Sequence, residues 1–207
     1  MSNGKNDQAF ARLFKLQATV GKLVLDGKRT PDEVSDSLQT LIEKKDGVVA
    51  PHVFEVTSNG LSGESWIAHL KTARYSVGDY TMQILRDKKF VATNGVTYRF
   101  AIIKGEEFED GERVTENIRA EATRRGYLTP SAEHAPLLRE LISDEEIEAM
   151  GLYWLVVMHE PIKDADDRPY LLGLYRGGDG RWLSASWGGP GYRWDHGHGF
   201  VFLAPQE

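Results

Sequence analysis

Two histidine-bearing stretches hold the residue types that could do chemistry. In Asp195-His196-Gly197-His198 the two imidazoles are two residues apart. On an extended chain that spacing puts both on one face, as two ligands of one metal ion require. His159, beside Glu160 and Pro161, would be the third ligand if its strand lies adjacent, or Asp195 if the backbone bends. A metal held by His159, His196 and His198 with an open position would activate water, with Glu160 or Asp195 as base, so this set reads as a metal-dependent hydrolase. It is not a zincin helix, because Glu160 precedes a proline and is biased toward extended geometry. Asp164, Asp166 and Asp167 begin like a calcium loop, but Pro169 stands where that loop needs glycine. With no cysteine and no Gly-x-Ser-x-Gly elbow, a hydrolytic nucleophile has no support. No cofactor is expected.

A second candidate is richer. Tyr175, Arg176, Arg181, Trp182, Tyr192, Arg193 and Trp194 interleave aromatic rings with guanidinium groups in a glycine-rich region. Residues 168–194 hold four arginines and one acid in a chain whose net charge is −6. Rings and guanidinium planes on strands stack single-stranded nucleic acid, and they also build protein and glycan contact surfaces. Large aromatics equally fill the core of a small sheet, and alternation places Trp182 and Leu183 on opposite faces.

These residues need strands to hold them. Residues 153–159 read as a buried strand, and residues 170–175 and 182–187 flank Gly177, Gly178, Asp179 and Gly180 as a hairpin. Residues 199–203 close the set. Val96, Tyr98, Phe100 and Ile102 alternate as the clearest half-buried strand. Helices precede and separate these strands. Ser62 can cap one carrying Trp66, Ile67 and Leu70, and another spans residues 79–86. Residues 112–125 form a third, stopped by Gly126. A fourth starts at Thr129-Pro130, and Ser143 with Glu146 is a capping box.

The N-terminal residues give an amphipathic helix with Phe10, Leu13, Phe14, Gln17, Val20 and Val24 on one face. Thr30, Pro31 and Glu33 then start a second, with Val34, Leu38, Leu41 and Ile42 as its stripe. The expected organisation is a helical hairpin over 1–45, a linker or short strand over 46–60 and a domain over 61–207. The fold class is α+β: an antiparallel sheet of about five mostly C-terminal strands, helices packed on one face, and an N-terminal helical pair.

Composition narrows the partners. The absence of cysteine excludes a disulfide framework and thiolate metal sites, and fits a reducing, cytoplasmic setting. No apolar run reaches membrane-spanning length. Thirteen acids against five bases over residues 105–151 make the middle helices acidic, which argues against nucleic acid as the main partner.

Several segments together resemble a known family: residues 93–98 (TNGVTY), 143–152 (SDEEIEAMGL), 156–162 (VVMHEPI), 181–183 (RWL), Trp194, 199–202 (GFVF), Pro205 and Gln206. The chain is similar here to an uncharacterised family of small soluble proteins encoded in genomes of uncultured, small-genome bacteria. The likeness runs over about 61–207. It implies a recurring soluble bacterial protein and no activity, ligand or catalytic residue. The favoured functional expectation is a non-catalytic binding or interaction protein using the aromatic and arginine-rich hairpin. The metal-dependent hydrolase and a single-stranded RNA binder are the alternatives. A protein partner, or a homo-oligomer formed through the N-terminal helices, is the expected assembly.

Overall fold

A computed structural model describes residues 22, 24–35, 53–164, 166–178 and 180–205. The chain divides into two compact units, Met1–Ala50 and Pro51–Glu207. In the first, the described residues show the expected capping box. The Thr30 N–H donates to Glu33 Oε2 at 2.9 Å, and the Glu33 N–H donates to Thr30 Oγ1 at 3.2 Å. Phe10, Leu13, Phe14, Gln17, Val20, Leu38, Leu41 and Ile42 lie outside the described residues.

The second unit is built on one eight-stranded sheet. Its strands are β1 (Val53–Asn59), β2 (Ser76–Val77), β3 (Asn94–Lys104), β4 (Trp154–Val157), β5 (Ile162–Lys163), β6 (Pro169–Gly177), β7 (Gly180–Trp187) and β8 (His198–Leu203). Their order is β1-β3-β8-β4-β6-β7-β2, with β5 pairing the start of β6. The helices are α1 (Gly63–Thr72), α2 (Asp79–Arg86), α3 (Thr115–Arg124), α4 (His134–Leu141) and α5 (Asp144–Ala149).

The α+β class holds, and three finer expectations are corrected. The sheet has eight strands, not about five. It is mixed, because β8 runs parallel to β4 and β2 runs parallel to β7. Helices cover both faces. On one, Trp66, Ile67 and Leu70 of α1, Leu85 of α2, Leu138 of α4 and Ile147 of α5 pack on Phe100, Ile102, Leu155, Leu174, Leu183 and Val201. On the other, Ile118 and Ala122 of α3 meet Ile103, Val156, Phe200 and Phe202. Central strands buried on both sides read as unbroken apolar runs, as in 155–158 and 200–203, so alternation could not reveal the second layer. Residues 53–59 pair with β3 as an edge strand, with Phe54 opposite Phe100.

Local chemistry explains most helix ends. Ser62 accepts from the Ser65 N–H, and Ser143 with Glu146 forms the predicted capping box. Gly126 and Gly151 take positive φ after α3 and α5. The fourth helix begins at His134, not Thr129-Pro130. An antiparallel bridge from Leu128 to Leu203 keeps the chain extended there, and the Ser131 N–H then donates to His134 Nδ1. Pro136 is tolerated because a first-turn N–H has no partner within the helix.

Gly63 sets how closely α1 approaches α2. A Cβ there would sit 1.6 Å from the Leu85 carbonyl oxygen, a backbone atom that cannot swing away. Gly63→Ala is expected to force the two helices apart and to cost at least ~3 kcal/mol, the upper end of ordinary overpacking. A thermal melt reads this as a fall of roughly 10 °C.

Candidate functional site

The hairpin strands run to Gly177 and Gly180, leaving only residues 178 and 179 between them. This register decides what each face carries. Tyr175 pairs with Trp182 on one side and with Trp154 on the other, so three large rings stand in one row across β4, β6 and β7. His198 of β8 continues the row beside Trp154. The residues one step along, Leu155, Leu174 and Leu183, point the other way and are each 0% exposed. Trp154, Tyr175 and Trp182 are only half-buried.

The predicted contact surface does not form as a unit. Arg176 and Arg181 are cross-strand partners one position beyond Tyr175 and Trp182, so pleating turns them to the opposite face. There Arg176 Nη1 lies 3.2 Å from Glu148 of α5, and the Arg181 guanidinium stacks 4.2 Å from the Tyr75 ring centre. Trp194 is also removed from the surface at 4% exposure, its Nε1 donating to Thr115 Oγ1 at 2.9 Å. Arg193 stays exposed and bridges Val114, and Tyr192 is half-buried against Trp194. Tyr175, Trp182, Tyr192 and Arg193 therefore remain at or near the surface.

The rings form a connected cluster. Centre-to-centre distances are 4.8 Å for Trp154–Tyr175, 5.7 Å for Trp154–His198 and 5.7 Å for His198–Trp194. Tyr192 and Trp187 extend it at 4.6 Å and 5.3 Å. At its edge the Tyr153 ring packs on His198, and the Asp195 carboxylate lies near enough to act on its hydroxyl. Burial first, and then that carboxylate, push the Tyr153 hydroxyl up to about 12. Asp195 accepts from the Gly197 N–H at 2.9 Å, which is the main reason its carboxyl lies below the usual range. This turn fixes Asp195 at the margin of the aromatic row, with His196 Nδ1 3.1 Å from its Oδ1.

The metal reading fails on geometry. His159 is 1% exposed and both ring nitrogens are engaged: Nε2 accepts from the Leu172 N–H at 2.9 Å, and Nδ1 lies 2.7 Å from the Glu160 carbonyl oxygen. Trp154 pairs with His198 in the parallel register, and His159 is five residues further along. At ~3.3 Å per residue that offset separates their backbones by roughly 16 Å along the strand direction. His196 is exposed and His198 is enclosed by rings. Among the described residues no group of three or more His, Asp or Glu side chains could hold a metal ion. The hydrolase built on His159, His196 and His198 is corrected accordingly. Asp164 is likewise filled from within, by the Arg168 Nε and the N–H groups of Asp166 and Arg168.

Trp154 and Tyr153 are functional candidates that the sequence did not single out. Their strand reads as core, and in the fold both are half-buried, Trp154 beside the Tyr175 ring. Ser184 and Ser186 share the aromatic face, and their half-buried hydroxyls have no partner among the described residues. Comparison with protein-family models, with curated proteins and with solved structures finds no match. Among the described residues no helix is long and apolar enough to cross a membrane.

Three imidazoles share one consequence of this packing. Burial lowers His134, His159 and His198 from 6.5 to about 4. In the unfolded chain they take up protons near pH 6.5, and in the folded protein only near pH 4. The folded state is therefore fully favoured above pH 6.5 and loses stability as pH falls toward 4, by on the order of 3 kcal/mol for each group. Urea titrations between pH 7 and pH 4 should show this decline. His198→Phe, which keeps a ring among Tyr153, Trp154 and Trp194, should make it shallower.

Proposed function

We propose that the protein is a non-catalytic binding protein whose contact surface is the half-buried aromatic row Trp154, Tyr175 and Trp182. One observation carries this reading. In the same three strands the opposite-facing leucines are fully sealed by helices, while these three rings retain solvent contact. Rings left partly wet on rigid strands supply large contact area at low entropy cost, since sheet packing already limits their rotamers. Tyr153, Asp195 and His196 add a polar margin, and Tyr192 and Arg193 mark the far side of the cluster.

Catalysis has weaker support. Asp195 accepts from the Gly197 N–H and lies beside the His196 imidazole. The single-stranded RNA reading loses two of its three arginines, because Arg176 and Arg181 are engaged on the other face and Arg193 alone stays exposed, whereas stacking sites for nucleic acid pair rings with a positively charged groove. A protein partner or homo-oligomer formed through the N-terminal helices remains a separate proposal, resting on their amphipathic pattern.

The five tryptophans make the test direct. Protein labelled with fluorotryptophan, its resonances assigned through single Trp→Phe variants, is screened by fluorine NMR against a chemically broad metabolite and fragment library. Ligands are expected to shift the Trp154 and Trp182 resonances and to leave Trp66 unchanged. A library that perturbs none of the resonances, or only those of Trp66 or Trp187, would refute the proposal.

A further inference from the structure

We infer that the ligand of this face is a neutral saccharide chain. The inference rests on the binding reading above and adds the class of ligand. The first support is the arrangement of the face itself. The row Trp154–Tyr175–Trp182 crosses three adjacent strands, so it spans about 10 Å at ~4.8 Å per strand, close to the length of two linked sugar rings. The next row out carries Val156, Gly173 and Ser184. Gly173 makes room for the Trp154 indole, which packs over it: a Cβ there would lie 2.3 Å from Trp154 Nε1.

The second support is the polar chemistry beside the rings. A pyranose has one C–H face, which packs on an aromatic ring by dispersion, and a rim of hydroxyl groups that need partners. Ser184 and Ser186 lie on the same strand and face as Trp182, with hydroxyls that find no acceptor or donor among the described residues. Each can both donate and accept, which matches a sugar hydroxyl. Asp195, at the other margin, is an ionised acceptor fixed by its turn.

The third support is charge. The row and the serines beside it carry no ammonium or guanidinium group, and the two hairpin arginines are turned away toward Glu148 and Tyr75. A phosphate or carboxylate ligand would find no counter-charge on the row. A cationic ligand would want a carboxylate among the rings, and the row carries none, Asp195 standing at its margin beside Tyr153. A neutral polyhydroxylated chain is what remains.

The test is titration of the full chain with neutral gluco-, xylo-, malto- and N-acetylglucosamine oligosaccharides, followed by tryptophan fluorescence and calorimetry, with polyuridylate as the anionic comparator. At least one oligosaccharide series should bind saturably, more tightly as the chain lengthens from one to three sugars, and with little change over a roughly tenfold range of salt. Trp182→Ala should weaken it roughly tenfold. The surface double variant S184A/S186A, which leaves every ring in place, should weaken it several-fold. Arg181→Ala, on the opposite face, should leave it unchanged. No saturable binding by any series would overturn the inference, as would binding indifferent to both Trp182→Ala and the serine pair. Polyuridylate binding that weakens with salt and competes at these rings would overturn it in favour of nucleic acid. If fragments shift the Trp154 and Trp182 resonances but no saccharide binds, only the ligand class is wrong. If nothing shifts them, the binding face itself is wrong.

Discussion

The parallel pairing of β4 with β8 is the constraint on which the rest of the domain depends. β7 is followed by a loop that must carry the chain back past β6 and β4 before β8 can enter between β3 and β4. That crossing lies on the sheet face that holds α3, and it is pinned from several sides. Arg113, 6% exposed, donates from Nε to the Gly105 carbonyl, from Nη2 to the Phe108 carbonyl and from Nη1 to the Trp194 carbonyl. The Trp194 N–H donates back to the Arg113 carbonyl, and its indole is held by Thr115. Gly105 allows close backbone approach: a Cβ there would lie 2.7 Å from the Asp195 carbonyl oxygen and 2.8 Å from that of His196. A buried guanidinium whose donors meet carbonyls exchanges its hydration for charge-assisted bonds, which is why one arginine can hold three segments together.

The opposite face has its own charged fastening. Arg139 of α4 is fully buried, donates to the Ile142 carbonyl and lies 2.9 Å from Asp144 Oδ1. Its guanidinium lies 5.9 Å from the Tyr75 ring centre, on which Arg181 also stacks. Arg176 and Arg181 stand directly across from each other, an arrangement that like charges disfavour. Glu148 and the Tyr75 ring relieve it by drawing each arginine to a different partner. The consequence reaches the other side of the sheet: with the arginines turned to Glu148 and Tyr75, pleating leaves Tyr175 and Trp182 in a row that carries no guanidinium of its own.

The sequence was most legible where the determinants are local. The Thr30–Glu33 and Ser143–Glu146 capping boxes, the Ser62 cap and the positive-φ glycines after α3 and α5 act within a few residues. The alternation of Val96, Tyr98, Phe100 and Ile102 likewise needs one strand only. The candidate site was half legible. The hairpin and its crowd of rings could be read, yet Trp194 turned out to be a packing residue because its ring is captured by Thr115, seventy-nine positions away. His159 looked like a ligand by residue type and proved to be a strand-end imidazole with both nitrogens used.

What the sequence alone determined is the set of elements and, within each strand, which side chains share a face, since both follow from periodicity and from hydrogen bonds between near neighbours. Tertiary structure decided which faces meet, which strands run parallel and which rings stay wet. Those depend on register between segments far apart in the chain, and no local preference encodes it. Trp154 shows the difference: its strand reads as core from end to end, and only the pairing of β4, β6 and β7 shows that it stands half-buried in one row with Tyr175 and Trp182.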